Sequence, residues 1–467
     1  MARAALIFAI ALSAHAIGAQ APPATIACPA EMPDGTRCVQ GRDAHGATYS
    51  LAYPLNWNRD LVVFAHGGPT LLLGSGPKRA LGYASNGAVD LLTLGYALAT
   101  TTYRDGYFDS PAYVEDLVAA RGEFIHKFGT PRRTVLYGVS YGAHVAVMGG
   151  QRRADKWDGV VAEDGDDAGE LVRFYQLLDL RVVYQYYCRN LPLPTERQYP
   201  LWQGVHPDTD VTTQAGFDAE VALLESRVSA CTGVDVPADR RTAAQRHALA
   251  NILAVTQAVE SDLKRAVSGA SMALYTFARF EAGGRNAFDN SAARYTGSDD
   301  DTALNAGVSR YTADRPAFAL ARELAATGTM QLPLLTLHPI HDRVRVESEW
   351  VVRQVYERAG NTARLDQFFD DGTGHLPGPS DRPHHIRASV AAILAMFSWI
   401  ETGARPTFAD LAARCASLRA ASAEDVCTSL LRDYVPPSIW TIIPPQGRVD
   451  ATRRSHELQG DRPVPPR

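Results

Sequence analysis

A five-residue turn, Gly138-Val139-Ser140-Tyr141-Gly142, sets the geometry for everything around it. It follows an apolar run of strand character, Thr134-Val135-Leu136-Tyr137. It precedes Ala143-His144-Val145-Ala146-Val147-Met148, which is apolar enough for a buried helix. Between strand and helix, a serine flanked by glycines sits on a sharp, strained turn with its hydroxyl exposed, and the glycines let neighbouring backbone pass closely. Taken alone, the same five residues also fit a surface turn. The rest of the chain has to decide between the two.

Leu61-Val62-Val63-Phe64-Ala65 is a continuous apolar run, as a parallel strand covered on both faces requires. It leads into His66-Gly67-Gly68-Pro69, a glycine-rich loop able to turn the backbone N–H of Gly67 or Gly68 toward a developing oxyanion. Thr48–Pro54 alternates like a strand, Ala88–Leu94 reads as helix and Ala97–Thr102 as the next strand. Tyr103-Arg104-Asp105-Gly106-Tyr107 then occupies a strand end, where substrate contacts gather in open α/β sheets. A helix over Val114–Phe128, the serine turn and a strand at Gly159–Ala162 complete a strand–helix alternation. That alternation implies an α/β class fold with a mostly parallel sheet and right-handed crossovers.

Glu163, Asp164, Asp166, Asp167 and Glu170 follow as an acidic cluster open to three readings. Asp166 or Asp167 caps a helix starting at Ala168, with Glu170 completing a capping box. Asp164, at a strand end, acts as the acid that orients a histidine. Or the cluster receives a positive group such as a free amino terminus. From Leu171 to about 327 the alternation fails. Leu171–Tyr187, Val221–Val228, Ala243–Ala266 and Ser271–Phe280 show helical periodicity, and residues 166–328 are expected to be a helical cap inserted in the sheet domain.

Sheet-like sequence resumes at Leu332–His338, whose exit loop carries Asp342, and at Leu365–Phe369, whose exit loop carries His375. Ser140, Asp342 and His375 therefore each lie just beyond a strand and should gather on one sheet edge. A neutral imidazole can take the proton of a serine, and a carboxylate can fix its tautomer. His66, His144, His338, His341, His384 and His385 are rival bases. His66, Tyr103, Arg104 and Asp164 are the candidate substrate contacts.

Together, Ser140 in G-V-S-Y-G, the H-G-G-P stretch, the D-R-V around Asp342 and Gly374-His375 resemble the α/β-hydrolase superfamily over about residues 48–165 and 330–403. The resemblance implies an eight-stranded sheet, a Ser-Asp-His triad and an oxyanion hole made by the N–H of Tyr141 and one from the H-G-G-P loop. With its export signal and large cap, the chain is also similar to secreted proline-iminopeptidase and tripeptidyl-aminopeptidase relatives. It departs from them after Pro69, where Thr70-Leu71-Leu72-Leu73 replaces further glycine.

Composition adds boundaries. At 467 residues and net charge −5 with no long basic run, nucleic acid is not the expected partner. Arg3, the apolar stretch Ala4–Leu12 and small residues through Ala21 read as a signal peptide over residues 1–20, so the expected location is periplasmic or extracellular with no membrane contact after cleavage. Six cysteines without C-x-x-C spacing then favour disulfides over zinc, in neighbouring pairs Cys28–Cys38, Cys188–Cys231 and Cys415–Cys427. The sheet domain is assigned to residues 21–165 and 329–405, and a disulfide-tied extension with a mobile tail to 406–467. The expected activity is hydrolysis of a small ester through an acyl-enzyme, with no metal or organic cofactor. Removal of N-terminal residues from a short peptide is the alternative, and a non-catalytic binding protein on the same scaffold a third.

Overall fold

The computed structural model describes residues 24–68, 87–105, 108–342, 344–373, 375, 386–418, 427, 430–431 and 434–436. The expected signal peptide, Pro69 and the residues after it, Gly374, His384, His385 and the expected tail beyond 436 lie outside the described residues.

In chain order the first part is β1 (Ala24–Ile26), β2 (Arg37–Arg42), β3 (Thr48–Tyr53), β4 (Asp60–Ala65), α1 (Ala88–Thr93), β5 (Ala97–Thr101), α2 (Ser110–Phe128), β6 (Arg133–Val139), α3 (Tyr141–Arg152) and β7 (Gly159–Glu163). Six helices follow: α4 (Glu170–Cys188), α5 (Gln214–Thr232), α6 (Ala243–Thr256), α7 (Leu263–Thr276), α8 (Asp301–Gly307) and α9 (Arg315–Glu323). The chain then returns through β8 (Leu334–His341), α10 (Glu347–Arg358), β9 (Leu365–Thr373), α11 (Ile386–Thr402), α12 (Phe408–Ser417) and β10 (Leu430–Leu431).

The strands form one sheet in the order β1-β2-β3-β5-β4-β6-β7-β8-β9-β10. From β5 to β9 every neighbouring pair is parallel. The four flanking pairs are antiparallel. Among the described residues the sheet thus has ten strands where the resemblance implied eight; the short outer strands β1 and β10 account for the difference.

All six residues of β4 are buried, because helices cover both faces. Strand alternation divides them: Leu61, Val63 and Ala65 pack with α2, α3 and α10, whereas Val62 and Phe64 pack with α1, α11 and α12. A third core of Leu180, Tyr184, Val228, Ile252 and Val267 lies among α4 to α7. Leu177 and Tyr187 on α4 pack against both this core and the sheet's. The inserted helices therefore have a core of their own and one long shared beam.

Two local expectations fail. The periodic stretch 243–266 is broken: α6 ends at Gln257, which is left-handed at φ 55°, and Arg345 Nη1, beyond β8, donates to the freed carbonyls of Thr256 and Gln257. The acidic cluster does not cap a helix at Ala168. Gly169 lies against the backbone of Ala325 as an isolated bridge, so α4 begins only at Glu170 with Gly169 at its N-cap. Asp166 pairs with Arg173 at 2.8 Å and Asp167 is buried.

The three disulfides join Cys28–Cys38, Cys188–Cys231 and Cys415–Cys427, with Cα separations of 5.3, 5.6 and 5.7 Å. Among the described residues no helix is long and apolar enough to cross a membrane.

Candidate active site

Strands β4 and β6 are neighbours, but the chain leaves β4 toward β5 on one side and β6 toward β7 on the other. Reversals of this kind open a crevice at the carboxyl ends of the strands. The loop after β4 carries Gly67 and Gly68, and the turn after β6 carries Ser140.

Ser140 has φ 59° and ψ −128°, a left-handed conformation that a side chain adopts only when its surroundings impose it. Its N–H donates to Glu163 O at 2.9 Å, tying the turn to β7. The turn also depends on close backbone approach. A Cβ on Gly142 would overlap the carbonyl of Ala65, one on Gly138 the carbonyl of Gly142, and one on Gly67 would reach 2.5 Å from Ser140 Cβ. Backbone carbonyls of a buried strand cannot swing aside. Gly142→Ala is therefore expected to lose about 1–3 kcal/mol of stability and to reduce turnover, read from thermal denaturation and an ester assay on the same preparation.

His375 lies across the crevice, with Nε2 2.6 Å from Ser140 Oγ. Its Nδ1 is 2.9 and 2.8 Å from the two carboxylate oxygens of Asp342. A carboxylate only accepts, so Nδ1 carries the ring proton and Nε2 accepts from the serine hydroxyl. Asp342 and His375 are buried. A β-bulge between Pro339 and His341 ends the regular β8–β9 pairing just ahead of Asp342. Asp342 Oδ1 also accepts the N–H of Val344 at 3.0 Å. Asp164 is buried at the end of β7 with φ 52°, and one of its carboxylate oxygens lies within 4.8 Å of donor atoms on both Asp342 and His375.

Of the rival bases, His66 donates from Nδ1 to Gly67 O at 2.9 Å, and burial holds its imidazole down at about 4, so it is neutral. His144 lies beneath the turn, 3.1 Å from Ser110 Oγ, and burial lowers it to about 3. His338 is buried against Glu349, and His341 is exposed at the end of β8.

The proposed substrate contacts have other partners. The Tyr103 hydroxyl donates to His66 O at 3.0 Å, and its ring stacks on Tyr113 at 3.9 Å. Arg104 binds Asp116 through Nε at 2.8 Å and Nη2 at 2.5 Å, and donates to Ala112 O. Both residues brace the loops around the crevice. The periodicity argument missed the group behind Tyr141. Arg173 lies over the rings of Phe108, Tyr141 and Phe174 at 4.6, 5.1 and 5.2 Å and pairs with Asp166 and Glu170. Burial, opposed by Arg173, raises Glu170 to about 7. Burial followed by the charge of Glu170 pushes Glu281 well above the usual carboxylate range. Asp166 and Glu170 stood in the acidic cluster read as able to receive a positive group, but Arg173, three residues after Glu170, was not named as that group.

A largely parallel sheet in this strand order, with helices on both faces and a helical insertion after β7, is the α/β-hydrolase fold. No family model matches the chain. Over 120 residues it is 31% identical to o-phthalyl amidase of Xanthobacter agilis, a match covering 25% of this chain and about a quarter (24%) of that relative's length. Similar solved structures include feruloyl esterase B from Aspergillus oryzae, at 14% identity and TM-score 0.40 over 79% of this chain and 81% of that one. Candida antarctica lipase A aligns at 12% identity and TM-score 0.42 over 92% and 90%. A carboxyl esterase from Bacillus coagulans aligns at 12% identity and TM-score 0.40 over 78% and 99%. Likeness at this level is silent on substrate.

Proposed function

We propose that the protein is an exported serine hydrolase acting on small carboxylic esters. The observation that carries the reading is the hydrogen-bonded series Ser140–His375–Asp342 at 2.6 and 2.8 Å. In the proposed cycle His375 takes the proton of Ser140 as its oxygen attacks the ester carbonyl. Asp342 stabilises the imidazolium that forms. The N–H of Tyr141, at the free N-terminus of α3, and that of Gly67 or Gly68 receive the oxyanion. His375 then protonates the leaving alcohol, and water, activated by the same imidazole, releases the acid from the acyl-enzyme. No metal or organic cofactor enters the cycle. Three disulfides support an oxidising compartment, periplasmic or extracellular.

Amide or peptide cleavage is the second reading, favoured by the sequence match to an amidase. Recruitment of an amino terminus by the acidic cluster is weakened because Asp166 already has a cation, Arg173. A paired chromogenic assay separates the readings. One arm uses p-nitrophenyl esters of rising chain length, and the other uses aminoacyl and tripeptidyl p-nitroanilides. Turnover confined to esters is expected. Efficient anilide turnover that requires a free amino terminus would transfer the assignment to an aminopeptidase.

A further inference from the structure

His338 stands on β8 four residues before Asp342, fully buried. Each of its ring nitrogens faces an acceptor: Nδ1 is 3.3 Å from Glu349 Oε1 and Nε2 is 3.0 Å from the carbonyl of Val344. A neutral imidazole has one N–H and would set a lone pair against one of these oxygens. An imidazolium donates to both. Glu349 is equipped to be its anion, since Oε2 accepts from Thr336 Oγ1 at 2.7 Å and Gln367 Nε2 at 2.6 Å.

The second contact reaches the proposed site. Val344, whose carbonyl His338 holds, donates its N–H to Asp342 Oδ1, and Asp342 in turn accepts from His375. We propose that His338 is a resident imidazolium and a positioning residue: anchored by Glu349, it grips Val344 and so fixes the carboxylate of Asp342 against His375. This inference rests on the reading of Ser140, His375 and Asp342 given above.

The charged surroundings agree. Glu349 of α10 faces the ring, as do Asp342 after β8 and Asp164, Asp166 and Asp167 after β7, with His375 beyond Asp342. Burial alone would lower the His338 imidazole. The hydrogen bond and charge of Glu349, with the charges of Asp342 and Asp164, raise it instead to about 10. The anchor moves the opposite way, because burial would raise Glu349 and the bond and charge of His338 hold it below the ordinary value. Removing the ring therefore leaves Val344 free to shift while the serine and the histidine keep their own supports.

Two measurements on the full chain test this. In the wild-type protein labelled with ¹⁵N-histidine, at about pH 8.5, well above the ordinary imidazole value, one ring is expected to show protons bonded to both nitrogens. Absence of such a ring would overturn the charge assignment whether or not any variant folds. His338→Gln is expected to lower kcat on a p-nitrophenyl ester by about 10²-fold, the scale of a misplacement near 1 Å, with KM within about twofold. A folded variant with unchanged kcat, or with kcat and KM both altered by similar factors, would overturn the positioning role. Ser140→Ala run alongside keeps the cases apart. If it retains wild-type turnover, the active-site reading fails, while the NMR result still stands or falls by itself.

Discussion

Replacing Ser140 with alanine is expected to cut kcat on p-nitrophenyl esters by about 10⁴- to 10⁶-fold, with the melting temperature close to that of the wild type. The size follows from the chemistry. In the proposed cycle the serine oxygen forms the covalent bond, so its loss also idles the base that would have deprotonated it. What survives is binding and oxyanion stabilisation, which retain about 10³–10⁴ over water. Stability should change little because the strain at φ 59° belongs to the turn's backbone, held by Glu163 O and by Gly138 and Gly142. A fluorophosphonate probe gives an independent readout: the wild type should gain one adduct, located on Ser140 by peptide mass analysis, and the alanine variant none. Wild-type rates in a folded Ser140→Ala protein would remove this crevice from consideration.

The second large effect separates two aspartates. Asp342→Asn is expected to lower kcat by about 10⁴-fold, because an amide facing Nδ1 drives the ring proton to Nε2 and leaves no acceptor for the serine hydroxyl. Asp164→Asn should cost no more than about tenfold, since the two short contacts to Nδ1 both come from Asp342. Measuring kcat/KM for both variants on one ester decides the matter. The reverse ranking would hand the acid's role to Asp164, whose oxygen is within 4.8 Å of the same group.

That Ser140, Asp342 and His375, the residues of the proposed triad, would meet in space was legible because each follows an apolar run of strand length. A parallel sheet sends all such exits to one edge, so counting strands placed three residues that lie up to 235 positions apart. The disulfide pairs were legible as the shortest loops. What could not be read is whatever depends on partners distant in the chain. The end of α6 at Gln257 is stabilised by Arg345, 88 positions away, and nothing local marks it. Arg104 stands at a strand exit, as expected, but its pairing with Asp116 on the next helix was not legible. Asp166 and Asp167 had the composition of a helix cap, but the bridge of Gly169 to Ala325 moved the helix start. The His338–Glu349 pair belongs here as well, since the sequence offered His338 only as one rival base among several, and its two acceptors come from residues brought to it by the fold.

The inserted helices also bear on the order of assembly. β7 pairs on its outer side with β8, and the six helices α4 to α9 lie between those strands in the chain. During synthesis, residues 60–163 can form four parallel strands, but β7 remains an open edge until the stretch from Leu334 onward emerges. A partly made chain holds Ser140 on its turn without the histidine and aspartate of the proposed triad. The proposed activity thus requires the nearly finished polypeptide, and closing so long a loop predicts slow folding with an exposed strand as its vulnerable stage.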